Sequence, residues 1–322
     1  MTIAEIAEKA GVSKSAVSRY LNNGYISDEK REIIQKVIEE TGYIPSSQAQ
    51  TLRTGKSNMI GVIVPRIDSD SVSRIVSGIS EVLEENHYRL LLANTQNRPE
   101  KELEYLDVFK NGNVDAVIFV ATILTNKHKK AIKSCNVPIV IVGQQMDDIS
   151  CIYNDDFGAS YEITRLLLES GRNKIGYIGV TTKDKAAGAE RLAGFSEAVQ
   201  AKYTEQSDFT LEGGYNAARR LLNKYKDIDG IFCATDTIAI GAIKFLKEQN
   251  ISVPNDISVV GIGDSKLSQL TTPQLTTARY YYNDSGKQAA KHIIDVINNE
   301  NNHVIQSKFG FELCIRESVS KI

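Results

Sequence analysis

The side chains of this 322-residue sequence with chemistry to offer are arginines, amides and rings at the ends of short apolar runs, and a group of hydrogen-bond donors near the N-terminus. Arg66 and Ser69 follow the apolar run 59–64, where the end of a strand would present them to a cleft. A guanidinium there donates to an anion or to sugar hydroxyls. Gln144 and Gln145 follow the run 139–142, and two primary amides, each donor and acceptor, match the pattern of sugar hydroxyls. The plainer alternatives are a surface arginine and a solvated loop. Lys14, Ser15, Ser18 and Arg19 lie together at helical spacing, a donor set for phosphate oxygens and base edges. Arg19 has the fork needed for a bidentate contact to guanine O6 and N7.

Enzyme chemistry finds no complete set. Gly263-Asp264-Ser265 offers a serine of esterase type, but that serine needs a partnered histidine, and His87, His128, His292 and His303 fall in expected helices or polar loops. Gly55-Lys56-Ser57 ends like a phosphate-binding loop, yet Gln50 occupies the place of its first glycine. Cys135, Cys151, Cys233 and Cys314 lack the spacing of zinc or dithiol sites, as a reduced cytosolic chain would. No cofactor and no metal are expected.

The elements that must position these groups come in two textures. Over 59–142, β-branched runs at 59–64, 88–93, 116–120 and 139–142 alternate with helical patterns at 72–86 and 100–111. A second series has strands at 174–178, 230–232 and 258–261, helices at 188–201 and 237–249, and a last strand at 311–316. Such alternation reads as βαβ units and parallel sheets, and a chain about twice the ~150-residue domain prior has room for two or three units. Lys and Arg number 38 against 40 Asp and Glu, a net charge of −2, so a charged partner must be met by a local patch. No apolar run approaches the ~18 residues of a membrane span. No leader-like apolar segment of roughly 7–15 residues opens the chain, so a cytoplasmic location with no membrane contact is expected.

Before residue 59 the pattern is all-helical. Ile3, Ile6, Ala7 and Ala10 recur at helical spacing, Gly11 breaks the pattern, and Ser13 starts a second helix to Leu21. Ser27 is expected to cap a third helix through Ile33, Ile34, Val37 and Ile38 to Gly42, with Pro45 stopping helix formation. Two short helices locked by Val12 and Val17 across a glycine turn have the spacing of a helix-turn-helix. Residues 1–58 carry 8 Lys and Arg against 7 Asp and Glu, so DNA affinity must come from placed side chains.

Val12-Ser13, Val17-Ser18-Arg19 and Leu21-Asn22-Asn23 are followed in order by GYIPSSQAQTLRTGKS at 42–57, MIGVIVP at 59–65 and LCIRESV at 313–319. In these the chain resembles the LacI/GalR family of bacterial transcription regulators, from residue 2 to its end. In Pro65-Arg66, Ser69, Gly143-Gln144-Gln145 and the rings at 280–282 it is most similar to repressors of sucrose and trehalose operons. The resemblance implies an α/β fold in three parts: an all-α helix-turn-helix domain (1–45), a hinge helix and linker (46–58), and a bilobed periplasmic-binding-protein-like core (59–322). The core's two parallel-sheet α/β lobes are expected from about 59–155 with 287–311, and from about 156–286 with 312–322. Crossings between them are expected near 154–158, 280–286 and 311–316.

The DNA-contacting set expected on this basis is Thr2, Ser13, Lys14, Ser15, Ser18, Arg19 and Asn22, with Ser46, Gln50, Leu52 and Arg53 in a hinge that orders on the operator. Leu52 would be the apolar wedge in the minor groove. Arg191 heads an RxxGF segment at 191–195, where the family's arginine binds effector hydroxyls or a carboxylate. Phe209 stands where a ring often stacks on a sugar face, with core packing as the alternative. Thr235 replaces a common asparagine, and Asp236 is expected to cap the next helix. Gly263 stands where many members carry an acid, which leaves Asp264, and one ring of 280–282 would border the ligand. The expected effector set is Arg66, Ser69, Gln144, Arg191, Phe209, Thr235, Asp264 and Tyr280. It leaves open whether the effector is a sugar or a sugar phosphate. The function implied is a homodimeric, allosteric repressor of a sugar-utilisation operon, released from a palindromic operator by its effector. No heptad segment follows Arg316 to extend the dimer. A sugar sensor without specific DNA binding, and a regulator whose ligand is a corepressor, are the alternatives.

Overall fold

The computed structural model describes residues 1–22, 24–43, 56–299 and 303–319. The chain divides into two compact units, Met1–Ser57 and Asn58–Ile322. The first holds α1 (Ile3–Lys9), α2 (Lys14–Leu21) and α3 (Asp28–Thr41). A reciprocal capping box starts α1: Thr2 Oγ1 accepts from the Glu5 N–H at 3.3 Å, and the Glu5 carboxylate accepts from the Thr2 N–H at 2.8 Å. Gly11 turns the chain at φ +61°, a conformation a Cβ would penalise, and Ser13 Oγ accepts from the Ala16 N–H at 3.2 Å to open α2. Ile6, Ala7, Ala10, Ala16, Val17 and Ile34 close a small core between the three helices. Ser27 sits at the N-cap of α3 but its hydroxyl makes no cap bond, contrary to expectation. Asp28 and Glu29 in the first turn place negative charge at that positive helix end instead. The hinge positions Ser46, Gln50, Leu52 and Arg53 lie outside the described residues.

In the second unit, five strands come first: β1 (Met59–Val64), β2 (Arg89–Asn94), β3 (Ala116–Val120), β4 (Ile139–Val142) and β5 (Ser150–Asn154). Five more follow: β6 (Ile175–Gly179), β7 (Tyr203–Gln206), β8 (Gly230–Cys233), β9 (Ser258–Ile262) and β10 (Thr276–Tyr280). Finally β11 (Gln306–Phe309) adds to the first sheet and β12 (Phe311–Cys314) to the second. The sheet orders are β11-β5-β4-β3-β1-β2 and β12-β10-β9-β8-β6-β7. Central strands such as β1 (MIGVIV) and β3 (AVIFV) are apolar without alternation because helices cover both faces. Those helices are α4 (Asp70–Glu85), α5 (Pro99–Val108), α6 (Asn126–Lys133), α7 (Asp156–Glu169), α8 (Arg191–Ala198), α9 (Leu211–Lys224), α10 (Asp236–Glu248) and α11 (Tyr282–Ile297). Gly78 of α4 and Gly286 of α11 bring these helices into backbone contact: a Cβ on either would lie 2.0 or 2.1 Å from a carbonyl oxygen of the other.

Three features differ from expectation. β12 is antiparallel to β10: only Gly310 separates it from β11 of the other sheet, so the chain runs straight on from one sheet into the other. The third passage between sheets is therefore at 310, and 311–314 is strand. The helix expected over 188–201 is a π-helical turn, Lys185–Glu190, followed by the shorter α8. The 100–111 helix likewise ends in a π-helical turn, Phe109–Asn113.

Candidate functional site

In the first unit, α2 exposes Lys14, Ser15 and Arg19, with Ser18 half-buried. Tyr20 and Leu21 pack behind them against the three-helix core. The hydroxyls of Thr2 and Ser13 are occupied as cap acceptors, and the Asn22 amide donates to the Ser18 carbonyl. Arg31 stacks 5.9 Å from the Tyr20 ring centre and stiffens α2 against α3. Tyr25, between α2 and α3, is 91% exposed. Sequence periodicity marked it neither as core nor as a contact, because it falls between elements.

The second unit holds a cavity of about 760 Å³, within the ~300–1,000 Å³ of small-molecule sites. Its walls come from the C-terminal ends of strands in both sheets: Arg66 after β1, Ala121 after β3, Gln144 after β4, Thr235 after β8 and Gly263 after β9. That is where open α/β sheets bind ligands. The lining carries three guanidiniums, from Arg66, Arg74 and Arg191, and six carboxylates, from Asp68, Asp70, Asp156, Asp184, Glu212 and Asp236. Phe209, Leu211, Leu267 and Tyr282 supply apolar faces.

Each guanidinium has a carboxylate partner. Arg66 donates to both oxygens of Asp68, at 3.0 and 2.7 Å, which raises its own pKa and holds the Asp68 carboxyl below its ordinary range. Arg74 pairs with Asp70 at 2.7 Å, lies 4.9 Å from the Tyr282 ring centre, and donates across the cavity to the Gly263 carbonyl at 2.6 Å. Arg191 is 6% exposed and donates through Nε to Asp156 Oδ1 at 2.7 Å and through Nη1 to the Ala234 carbonyl. Burial opposes its charge, but the Asp156 carboxylate outweighs burial and keeps it protonated. Ser69, at the N-cap of α4, lines the cavity with its hydroxyl 3.0 Å from that of Ser71. Gln144 is bonded to Asp184. Gln145 instead lines a neighbouring cavity of about 340 Å³.

Three expected roles change. The cap of α10 is Thr235, whose Oγ1 accepts from the Ile238 N–H at 3.3 Å, so Asp236 sits one residue inside the helix. Asp236 instead accepts from the Ser265 N–H at 2.7 Å and from the Thr277 hydroxyl, fastening α10 to β10. Asp264 does not line the cavity, because Arg279 and Arg316 draw its carboxylate toward β10 and β12. Tyr280 is 1% exposed and lies behind the wall, where its hydroxyl donates to Asp156 Oδ1 at 3.1 Å. The ring that reaches the cavity at this crossing is Tyr282. Arg74, Asp156 and Asp184 were missed in the sequence, whereas Tyr282 is the one ring of 280–282 that was expected to border the ligand. The one available signal was Arg74, one helical turn after Asp70.

The sequence matches the description of bacterial regulatory proteins, lacI family, over residues 2–46, and of a periplasmic binding protein-like domain over 164–319. It is 34% identical to the sucrose operon repressor of Staphylococcus xylosus over 302 residues, 92% of this chain and 94% of that protein. Among solved structures, it superposes on a complex of the transcriptional regulator CelR with cellobiose at a TM-score of 0.77, with 25% identity and 99% of each chain covered. It also superposes on the lac repressor dimer bound to operator and the anti-inducer ONPF at 0.90, with 22% identity, covering 99% of this chain and 98% of that one. A helix-turn-helix unit, two sheets whose strand ends line one cavity, and this identity across nearly the whole of a known repressor make the chain a member of the lacI family of bacterial regulatory proteins.

Proposed function

We propose that this chain is the repressor of a sugar-utilisation operon, a cytoplasmic homodimer that holds a short palindromic operator and releases it when a sugar or sugar phosphate fills the cavity. The observation that carries this reading is a cavity lined by guanidinium, carboxylate, amide and hydroxyl groups and a helix-turn-helix in one sequence that aligns with nearly the whole of a sucrose operon repressor. Each protomer of the dimer would place α2 in the major groove of one half-site, with Arg19 reading a base edge and Lys14 and Ser15 fixing register on phosphates. Leu52, in the expected hinge, would wedge the minor groove at the dyad. Ligand contacts from both sheets, from Arg66, Ser69, Gln144 and Tyr282 and from Arg191 and Phe209, couple cavity occupancy to the relation between lobes. By linkage, a sugar that weakens operator binding must bind more weakly to the DNA complex by the same factor. No described helix is long and apolar enough to cross a membrane.

The test is an operator selected from random DNA by the full chain, titrated with and without sucrose and trehalose. A sugar-dependent loss of affinity of tenfold or more is expected. Failure to recover any sequence-specific complex would sink the reading. Arg19→Ala should cost about 1–3 kcal/mol on the selected operator and relax preference at one position. Lys14→Ala should instead weaken every sequence alike and reduce the salt slope by about one.

A further inference from the structure

Asp184 is 3% exposed, lines the cavity, and stands at the start of the π-helical turn Lys185–Glu190. Its Oδ1 accepts two hydrogen bonds, from the Ala187 N–H at 3.0 Å and from Gln144 Nε2 at 2.8 Å. Its Oδ2 makes none among the described residues. Gln144, 4% exposed, follows β4 of the first sheet, whereas Asp184 belongs to the lobe of the second sheet, so this bond joins the lobes across the cavity. The turn that carries Asp184 is held tightly: a Cβ at Gly188 would lie 2.1 Å from the Thr181 carbonyl oxygen.

We propose that Asp184 and Gln144 form a cross-lobe clamp for one hydroxyl of a neutral sugar ring. The proposal rests on the sugar reading above and assigns one contact within it. A hydroxyl is the group that satisfies both halves at once, because it donates to a carboxylate and accepts from an amide N–H. A phosphoryl oxygen in its ionised form only accepts, so it meets Gln144 but is repelled by Asp184. If the effector carries a phosphate, that group lies elsewhere in the cavity. Without ligand the two residues satisfy one another, so a buried carboxylate and a buried amide are never left bare. Burial pushes the Asp184 carboxyl above its ordinary range, and the Gln144 and Ala187 donors oppose this, so an entering ligand must replace the donor it displaces.

Two measurements on the full chain decide it. The first needs no ligand. In Gln144→Ala, amide exchange over 184–187 should accelerate about fivefold or more, although the substitution lies in the other lobe, whereas Gln145→Ala should leave those amides unchanged. Equal exchange in wild type and Gln144→Ala would overturn the clamp. The second is calorimetry with sucrose, trehalose and maltose. For a sugar that binds the wild type, Asp184→Asn and Gln144→Ala should each weaken binding tenfold or more, and the double variant should be no worse than the worse single, since both grip one hydroxyl. Binding to Asp184→Asn within twofold of wild type would overturn the assignment. If none of the three sugars binds the wild type, the sugar reading falls and the hydroxyl role with it, while the exchange result still decides whether the pair ties the lobes.

Discussion

Arg191→Ala should lower the unfolding free energy by about 3–5 kcal/mol and remove effector binding, because it strips the partner from a carboxylate that has almost no water to fall back on. Asp156 is 5% exposed, and its Oδ1 is held by Arg191 Nε and by the Tyr280 hydroxyl, so deleting the guanidinium leaves a buried negative charge on a single neutral donor. The Ala234 carbonyl loses its donor in the same step. Urea denaturation checks the size. Asp156→Asn added to Arg191→Ala should recover a large part of the loss, since the stranded charge goes with it, but not the sugar binding proposed for the guanidinium. A loss below about 1 kcal/mol would mean that water reaches Asp156 when Arg191 is gone. The geometry also explains how occupancy of one arginine reaches the joints of the fold. Asp156 opens α7 just after the first passage between sheets, and Tyr280 ends β10 just before the second. A ligand that draws on Arg191 therefore alters a carboxylate to which both passages are tied.

What the sequence revealed follows from how local each cause is. Strands β1, β3, β4 and β9 were legible because burial on both faces removes polar residues from a continuous run, a property of five or six neighbours. β5 and β7 were not. SCIYN and YTEQ carry no such run: β7 is an edge strand with alternating burial, and β5 owes its place to β4 and β11 on either side. Arg66, Ser69, Gln144, Arg191, Phe209 and Thr235 all line the cavity, and each follows a strand end or a motif readable within a few residues. Asp156 and Asp184 acquire meaning only through partners 35 and 40 positions away, and Arg74 through a carbonyl 189 positions away. The displacement of Asp264 and Tyr280 has the same origin. An acid next to Gly263 and a ring at the crossing are correct residue types near the cavity. Arg316 and Asp156 decide where they point, and neither neighbour is visible in local sequence. The one-residue error at the α10 cap is of another kind: threonine and aspartate both cap well, and the extended backbone of Thr235 settles which one does.

Asp264→Ala should cost about 1–3 kcal/mol without touching the cavity wall, since Arg316 loses its carboxylate while the half-exposed Arg279 keeps Glu312 at 3.1 Å. Arg279 reaches Asp264 Oδ2 at 2.7 Å and Arg316 reaches Oδ1, with Arg316 further fixed by the Leu275 carbonyl at 2.8 Å and Ser268 Oγ at 3.0 Å. The carboxylate thus joins β10, the residues following β12 and the turn after β9. Burial alone would raise the Asp264 pKa, but the two guanidiniums prevail and hold it below the ordinary carboxylate range. A carboxyl depressed in the folded state contributes stability that is complete above its unfolded pKa of about 3.9 and is lost as pH falls through the folded value. The difference between wild type and Asp264→Ala should therefore be constant from about pH 5 to 8 and shrink below about pH 4, as followed by urea titrations at each pH. Asp236 gives the opposite slope. Burial raises its pKa despite the Thr277 and Ser265 donors, so its ionisation costs stability as pH rises from the unfolded value toward the folded one. A flat difference for Asp264→Ala down to pH 3 would show that Glu312 and water suffice for Arg279 and Arg316, and that the Asp264 carboxylate contributes nothing to holding β12 on the second sheet.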